Sequence, residues 1–391
     1  MITKRSLLDH IREDEVVGLC QEMVRFNTVN PPGNEKELAE FVADLLQDFG
    51  LRIELISHTN TRASVIAQLK GSGELPPLMY NGHLDVVPIG EQRWRYDPFS
   101  AKLAEGKIWG RGTADMKGGN AAILSAIKAL VFSGKSLRGD IIVAFTAGEE
   151  GEQLGARALV ENFDSTALQA LVIPEPSGNA VYTAEKGCFW LKIVTHGKTA
   201  HGSMPEHGLN AIQMMTTLID RLEKIDVQFE KHPLLGKFTR SIGTIKGGVK
   251  TNVVPDRCEI TIDQRTVPGQ DNQAILAGVE GLIAEMGEDV PGFDADVEVI
   301  NELAPVETSP NLSVVQKVCG AVAEITGKFP KPEGVNYYTD GAVLSPALDA
   351  PLIICGPGEP ELAHQPNEYV GAKSLVENAK ILALLGARLL G

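Results

Sequence analysis

The residues best suited to chemistry in this sequence are imidazoles and carboxylates set in short glycine- or proline-marked runs. His83 and Asp85 stand in GHLDVVP (82–88), Asp115 in GRGTADMKGG (110–119), Glu149 and Glu150 in TAGEEGE (146–152), Glu175 in PEPSG (174–178) and His364 in AHQPNE (363–368). Nitrogen and oxygen donors without thiolate suit zinc, cobalt or manganese and exclude a thiolate-rich structural zinc site. A metal-bound imidazole needs its second nitrogen held by an acceptor, and His-x-Asp at a strand end can supply ligand and orienter on one face. The tripeptide alone is common by chance; its weight comes from the acids and the second histidine further along the chain. An open mononuclear site takes three protein ligands and a water. His83, Asp115, Glu150, Glu175 and His364 are too many for that and fit two cations sharing Asp115. Two ions about 3.5–4 Å apart can activate one water between them and polarise a carbonyl. Glu149, next to a ligand but free itself, then fits the general base.

These residues need a scaffold that delivers them to one place. The stretch Leu78–Pro88 starts apolar as a buried strand would and stops at Pro88, the runs Asp140–Thr146, Leu168–Ile173 and Pro351–Cys355 read as apolar strands, and helices are expected over 120–132, 155–162, 312–326 and 372–389. Strand–helix alternation implies a largely parallel sheet. In open α/β sheets ligands bind beyond the carboxyl ends of strands, and every candidate falls at or just past such an end. Asp115 precedes the helix at 120, so it reads either as a helix N-cap or as a carboxylate on a glycine-shaped loop. At the front of the chain, a helix is expected from Ser6 to Phe26. A turn at 27–35, a helix over Leu38–Phe49 closed by Gly50, and strands at 52–57 and 64–69 come next.

The middle of the chain reads differently. Alternating strands at 188–195, 241–246, 258–265 and 295–301, with helices at 210–225 and 273–286, predict an α+β sandwich inserted into the first fold. The expected division is 1–183 for the first part of the catalytic domain, 184–299 for the insert and 300–391 for the remainder.

Composition narrows the class. A chain of 391 residues predicts two domains. Its formal net charge of −15 gives no basic excess for nucleic acid. The five cysteines are scattered, without CxxC spacing, and read as reduced core residues. The opening MITKRSLLDHIREDEVV lacks an apolar signal core, and no apolar run approaches the ~20 residues of a membrane span, so a cytoplasmic protein is expected.

The five motif runs, in this order, resemble the acetylornithine deacetylase, succinyl-diaminopimelate desuccinylase and carboxypeptidase G group of dinuclear zinc amidohydrolases, over nearly the whole chain. The resemblance implies a zinc-peptidase-like α/β fold: a three-layer catalytic domain with a mostly parallel sheet and an inserted lid and dimerisation domain. It implies two divalent ions, zinc first and cobalt or manganese as alternatives. His83, Asp115 and Glu175 would hold one ion, and Asp115, Glu150 and His364 the other. Asp85 would orient His83 and Glu149 would be the base. His201, in GKTAHGSMP, would stabilise the oxyanion from the partner subunit of a homodimer. Asn252 and Arg265 would receive a substrate carboxylate, and Thr339 and Gly356 would line its pocket. The implied reaction is hydrolysis of an N-acyl amino acid. A dipeptidase or glutamate carboxypeptidase on the same scaffold is the near alternative, and a catalytically silent metal-binding protein the remote one.

Overall fold

The structure is a computed structural model that describes residues 7–162 and 167–391. The chain divides into two compact units. One comprises the chain up to Ala184 with Val306–Gly334 and Thr339–Gly391; the other comprises Glu185–Pro305 with Val335–Tyr338.

The first unit carries β1 (Arg52–Ser57), β2 (Ala63–Leu69), β3 (Leu78–His83), β4 (Lys102–Ala104), β5 (Lys107–Trp109), β6 (Ile141–Thr146), β7 (Ala170–Pro176) and β8 (Tyr182–Glu185). The second carries β9 (Gly187–His196), β10 (Thr239–Gly247), β11 (Arg257–Thr266) and β12 (Ala295–Leu303). The chain then runs through β13 (Val306–Glu307), β14 (Glu333–Val335), β15 (Leu352–Gly356) and β16 (Tyr369–Gly371).

The main sheet has the order β1-β2-β6-β3-β7-β15-β8-β13, with β14 against β8. Its centre is parallel: β3 pairs with β6 on one side and β7 on the other, and β15 pairs with β7. Every residue of β3, β6, β7 and β15 is buried, which accounts for the apolar runs 78–80, 141–145, 170–173 and 352–355 within them. The helices Gly118–Phe132 and Ala372–Leu390 share one apolar cluster with these strands, and Tyr80 on β3 donates its hydroxyl to the Leu382 carbonyl at 2.7 Å. Helix Gly118–Phe132 comes so close to β7 that a Cβ on Gly119 would lie 2.2 Å from the Pro174 carbonyl oxygen. A small sheet, β16-β5-β4, packs beside the loop that leads into this helix.

In the second unit, β10-β11-β9-β12 form an antiparallel sheet. Ile260 and Ile262 of β11 share an apolar cluster with Met215 and Leu218 of helix Ala211–Leu222 and with Val279 and Leu282 of helix Asn272–Asp289.

The front of the chain departs from expectation. The expected helix start at Ser6 lies outside the described residues, and the helix itself begins at Glu13 behind an extended Arg12. Helical spacing of Leu7 and Ile11 suggests continuity. The acids Glu13, Asp14 and Glu15 instead mark a first turn, where the helix dipole favours negative charge.

Candidate metal centre

The parallel strands deliver their chemistry at one edge. His83 is the last residue of β3, Glu175 the penultimate residue of β7, and Glu149 and Glu150 come after β6. Asp115 sits in the turn between β5 and helix Gly118–Phe132, and His364 in the loop after β15. Asp115 has extended φ/ψ of −123° and 99°, while Lys117 occupies the helix N-cap position without a side-chain cap. Its carboxylate is therefore free of capping and turned to the histidines. The turn depends on Gly112, whose φ of +85° suits glycine and whose Cβ would lie 2.6 Å from Val86.

One oxygen of Asp115 lies 3.0 Å from His83 Nε2 and the other 3.3 Å from His364 Nε2. His83 Nε2 is also 3.4 Å from Glu175, and His364 Nε2 is 3.0 Å from Glu150. Donor atoms of His83, Asp115 and Glu175 all lie within 4.8 Å of one another, as do those of Asp115, Glu150 and His364. The donor set is nitrogen and oxygen only, and it places several buried acids together, which needs positive charge to be stable. Two divalent cations sharing Asp115 fit it.

The electrostatics arise from burial and this crowding. Burial lifts the Glu175 carboxyl to about 8, with Asp115 adding to the rise. Burial likewise raises Glu149 well above the ordinary carboxylate range. Hydrogen bonds to the Asp115 and Glu150 carboxylates raise the His364 imidazole to about 10. Burial opposes charge on His83, but the Glu175 and Asp115 carboxylates outweigh it and raise that imidazole too. His83 is 1 % exposed and His364 52 %, so one end of the cluster is sealed and the other open to water.

Asp85 is arranged differently from the simplest expectation. The acceptor for His83 Nδ1 is the Asp85 backbone carbonyl, at 3.0 Å, while the carboxylate oxygen is 3.7 Å away. That carboxylate accepts hydrogen bonds from the backbone N–H groups of Gly148, Glu149 and Glu150 at 2.9, 3.1 and 3.1 Å, and from Asn30 Nδ2 at 3.0 Å. Strand parity puts the side chains of His83 and Asp85 on one face; the loop amides are the stronger claim on the carboxylate. Gln153 Nε2 donates to the Glu149 carbonyl at 2.8 Å and to its carboxylate at 3.3 Å.

The remaining candidates fall in two places. Thr339 and Gly356 belong to the first unit. Thr339 is buried and accepts from the Gly341 N–H, and Gly356 lies where a Cβ would strike the Pro174 and Glu175 carbonyls. His201, Asn252 and Arg265 belong to the second unit. His201 is exposed and bonded to Ser203 at 2.7 Å, and the neighbouring Gly202 N–H donates to the Asn252 carbonyl. Arg265 pairs with Asp263 at 2.9 Å and stacks on Tyr338.

Several residues at this edge carry no motif signal of their own. Asn120 Nδ2 holds the His83 carbonyl at 2.6 Å. Arg111 and Glu368 form a buried ion pair at 2.6 Å beside the Asp115 turn. Both stand inside runs already marked by Asp115 and His364, which is the signal that could have found them.

Residues 79–388 match the profile of Peptidase family M20/M25/M40. A "Probable succinyl-diaminopimelate desuccinylase" from Staphylococcus aureus (strain N315) is 29% identical over 395 residues, covering 92% of this chain and 93% of that protein. The fold is that of an M20 family metallo-carboxypeptidase from Sulfolobus solfataricus, with TM-score 0.81, 19% identity, and 96% and 100% of the two chains covered. It is also that of a dinuclear metal binding peptidase of the M20 family from Bacillus subtilis, with TM-score 0.70, 18% identity, and 97% and 98% covered.

Proposed function

Because the chain belongs to Peptidase family M20/M25/M40, whose members are metal-dependent hydrolases of amide bonds, we propose that it removes the acyl group from a small N-acyl amino acid. The observation that carries this reading is Asp115, with one oxygen 3.0 Å from His83 and the other 3.3 Å from His364. In it, His83, Asp115 and Glu175 hold one divalent cation, and Asp115, Glu150 and His364 a second. Zinc is the leading candidate, with cobalt or manganese as alternatives. Such ions supply Lewis acidity, polarising the scissile carbonyl and making water acidic enough to attack at neutral pH.

The chain's own groups do the rest. Glu149 takes the proton from the attacking water and passes it to the leaving amine. Asp85 fixes the backbone of Glu149 and Glu150, and Gln153 steadies the Glu149 side chain. His201 donates to the developing oxyanion, which by family resemblance it does in the active site of a partner subunit. Arg265 and Asn252 receive the substrate carboxylate, and Thr339 and Gly356 border the acyl pocket. This reading places the protein in the cytoplasm as a homodimer; among the described residues no helix is long and apolar enough to cross a membrane. The acyl specificity follows the desuccinylase named among the relatives, with succinyl first and acetyl second.

The test is metal content of the purified protein together with turnover of N-succinyl and N-acetyl amino acids and dipeptides. Glu149→Ala should retain both cations and lose about 10²–10⁴-fold in kcat. Turnover of dipeptides alone would move the assignment to a dipeptidase or carboxypeptidase. Wild-type-like turnover by Glu149→Ala would remove the assigned base.

A further inference from the structure

Glu368 lies four residues beyond His364 and has no part in the proposed chemistry. Its side chain is fully buried. Four donors converge on its carboxylate: Arg111 Nη1 at 2.6 Å and the backbone N–H groups of Gly112, Ala114 and Asp115 at 3.1, 2.8 and 3.1 Å. Its backbone carbonyl accepts the Gly110 N–H at 3.0 Å, continuing the β5–β16 pairing in which Trp109 faces Tyr369. Glu368 thus grips the whole turn from Gly110 to Asp115 at the point where the small sheet ends.

Its partner Arg111 reaches further. The guanidinium donates to the Pro88 carbonyl at 3.2 Å, to the Gln365 carbonyl at 3.3 Å and to the His364 carbonyl at 3.5 Å, and it lies 5.1 Å from the Trp94 ring centroid. Through this one ion pair the segment after His83, the turn holding Asp115 and the loop holding His364 are tied together. Charge-assisted bonds to a buried carboxylate are short and directional. Removing one partner leaves the other charge buried without compensation.

We propose that Glu368 is a positioning residue that sets the Asp115 turn in register with the His364 loop, so that both cation positions are built by one clamp. The inference rests on the two-cation reading and adds a distinct consequence. Loss of a private ligand such as Glu175 weakens one position. Loss of Glu368 displaces the shared ligand and weakens both.

The test is titration of the chelator-stripped full chain with Co²⁺, monitored by visible absorption, with folding checked by circular dichroism. The wild type should take up two equivalents. Glu368→Gln puts an amide group among donors and should lower the affinity for both equivalents by about 10–100-fold. Glu368→Asp keeps the charge near Arg111 but retreats from the amides by one methylene, and should fall between the two. Unchanged affinity in Glu368→Gln, or weakening of one equivalent only, overturns the inference. Loss of the fold in both variants overturns it too, making Glu368 a residue of the core. A wild-type chain that takes up fewer than two equivalents overturns the metal reading, and this inference with it.

Discussion

Asp85 holds Glu149 by the backbone: its carboxylate oxygen accepts the Glu149 N–H at 3.1 Å, with Gly148 and Glu150 bound alongside. The acid expected to orient an imidazole instead sets the loop that presents both the base and a candidate ligand. Asp85→Asn keeps the shape but turns an amide group toward N–H donors. Kinetics, metal analysis and chemical denaturation of the variant should show a kcat lowered by about 10–100-fold with both cations still bound. Stability should fall by about 2–3 kcal/mol, the scale of a lost hydrogen bond to a buried charge. Loss of metal with kcat per bound metal intact would mean that the carboxylate serves His83 after all.

The two halves of the cluster differ in access to water. His83 is 1 % exposed and His364 52 %. A chelator should therefore strip the protein in two phases, the faster one emptying the Asp115–Glu150–His364 position. His364→Ala should bind one equivalent and lose the fast phase. Metal stoichiometry with a stopped-flow chelation trace decides this; a single phase in both proteins would contradict it.

Asp340 provides a pH dependence at a residue that is not itself a candidate ligand, although His83 and Asp85 act on its charge. It is buried, accepts the Thr146 hydroxyl and lies 3.4 Å from Asn81 Nδ2. Burial lifts its carboxyl to about 6. A carboxyl raised on folding holds its proton more tightly in the folded state. The stability it confers is full below about pH 4 and is lost as pH rises to 6. Between pH 4 and 7 the wild type should thus lose up to about 3 kcal/mol relative to Asp340→Asn. Urea denaturation of both proteins at pH 4, 5.5 and 7 gives the answer, and a constant difference across that range would refute it.

What is legible in the sequence is what depends on local pattern. The buried parallel strands announce themselves because a strand covered on both faces is apolar throughout, as Leu78–Tyr80 and Ile141–Phe145 are. The polar residues that end those runs then mark the edge where chemistry gathers. What is not legible depends on rotamers and on distant partners. Sequence parity puts His83 and Asp85 on one face but does not tell that the carbonyl, not the carboxylate, meets Nδ1. Glu368 looks like a loop acid because Arg111, which makes its burial tolerable, is 257 positions away. The helix start at Glu13 is hidden because Leu7 and Ile11 keep helical spacing across a break set by the acids.

Strand β15 lies between β7 and β8, with Leu352 opposite Leu171, although the second unit intervenes in the sequence between β8 and β15. A nascent chain that has just completed Pro305 already owns His83, Asp115, Glu149, Glu150 and Glu175, but neither the middle strand nor His364. The sheet stays open along that seam until residues 352–356 have been made. Co-translational folding of the first unit thereby has to wait for β15, and a chain released short of it has only one of the two three-residue clusters to offer a cation.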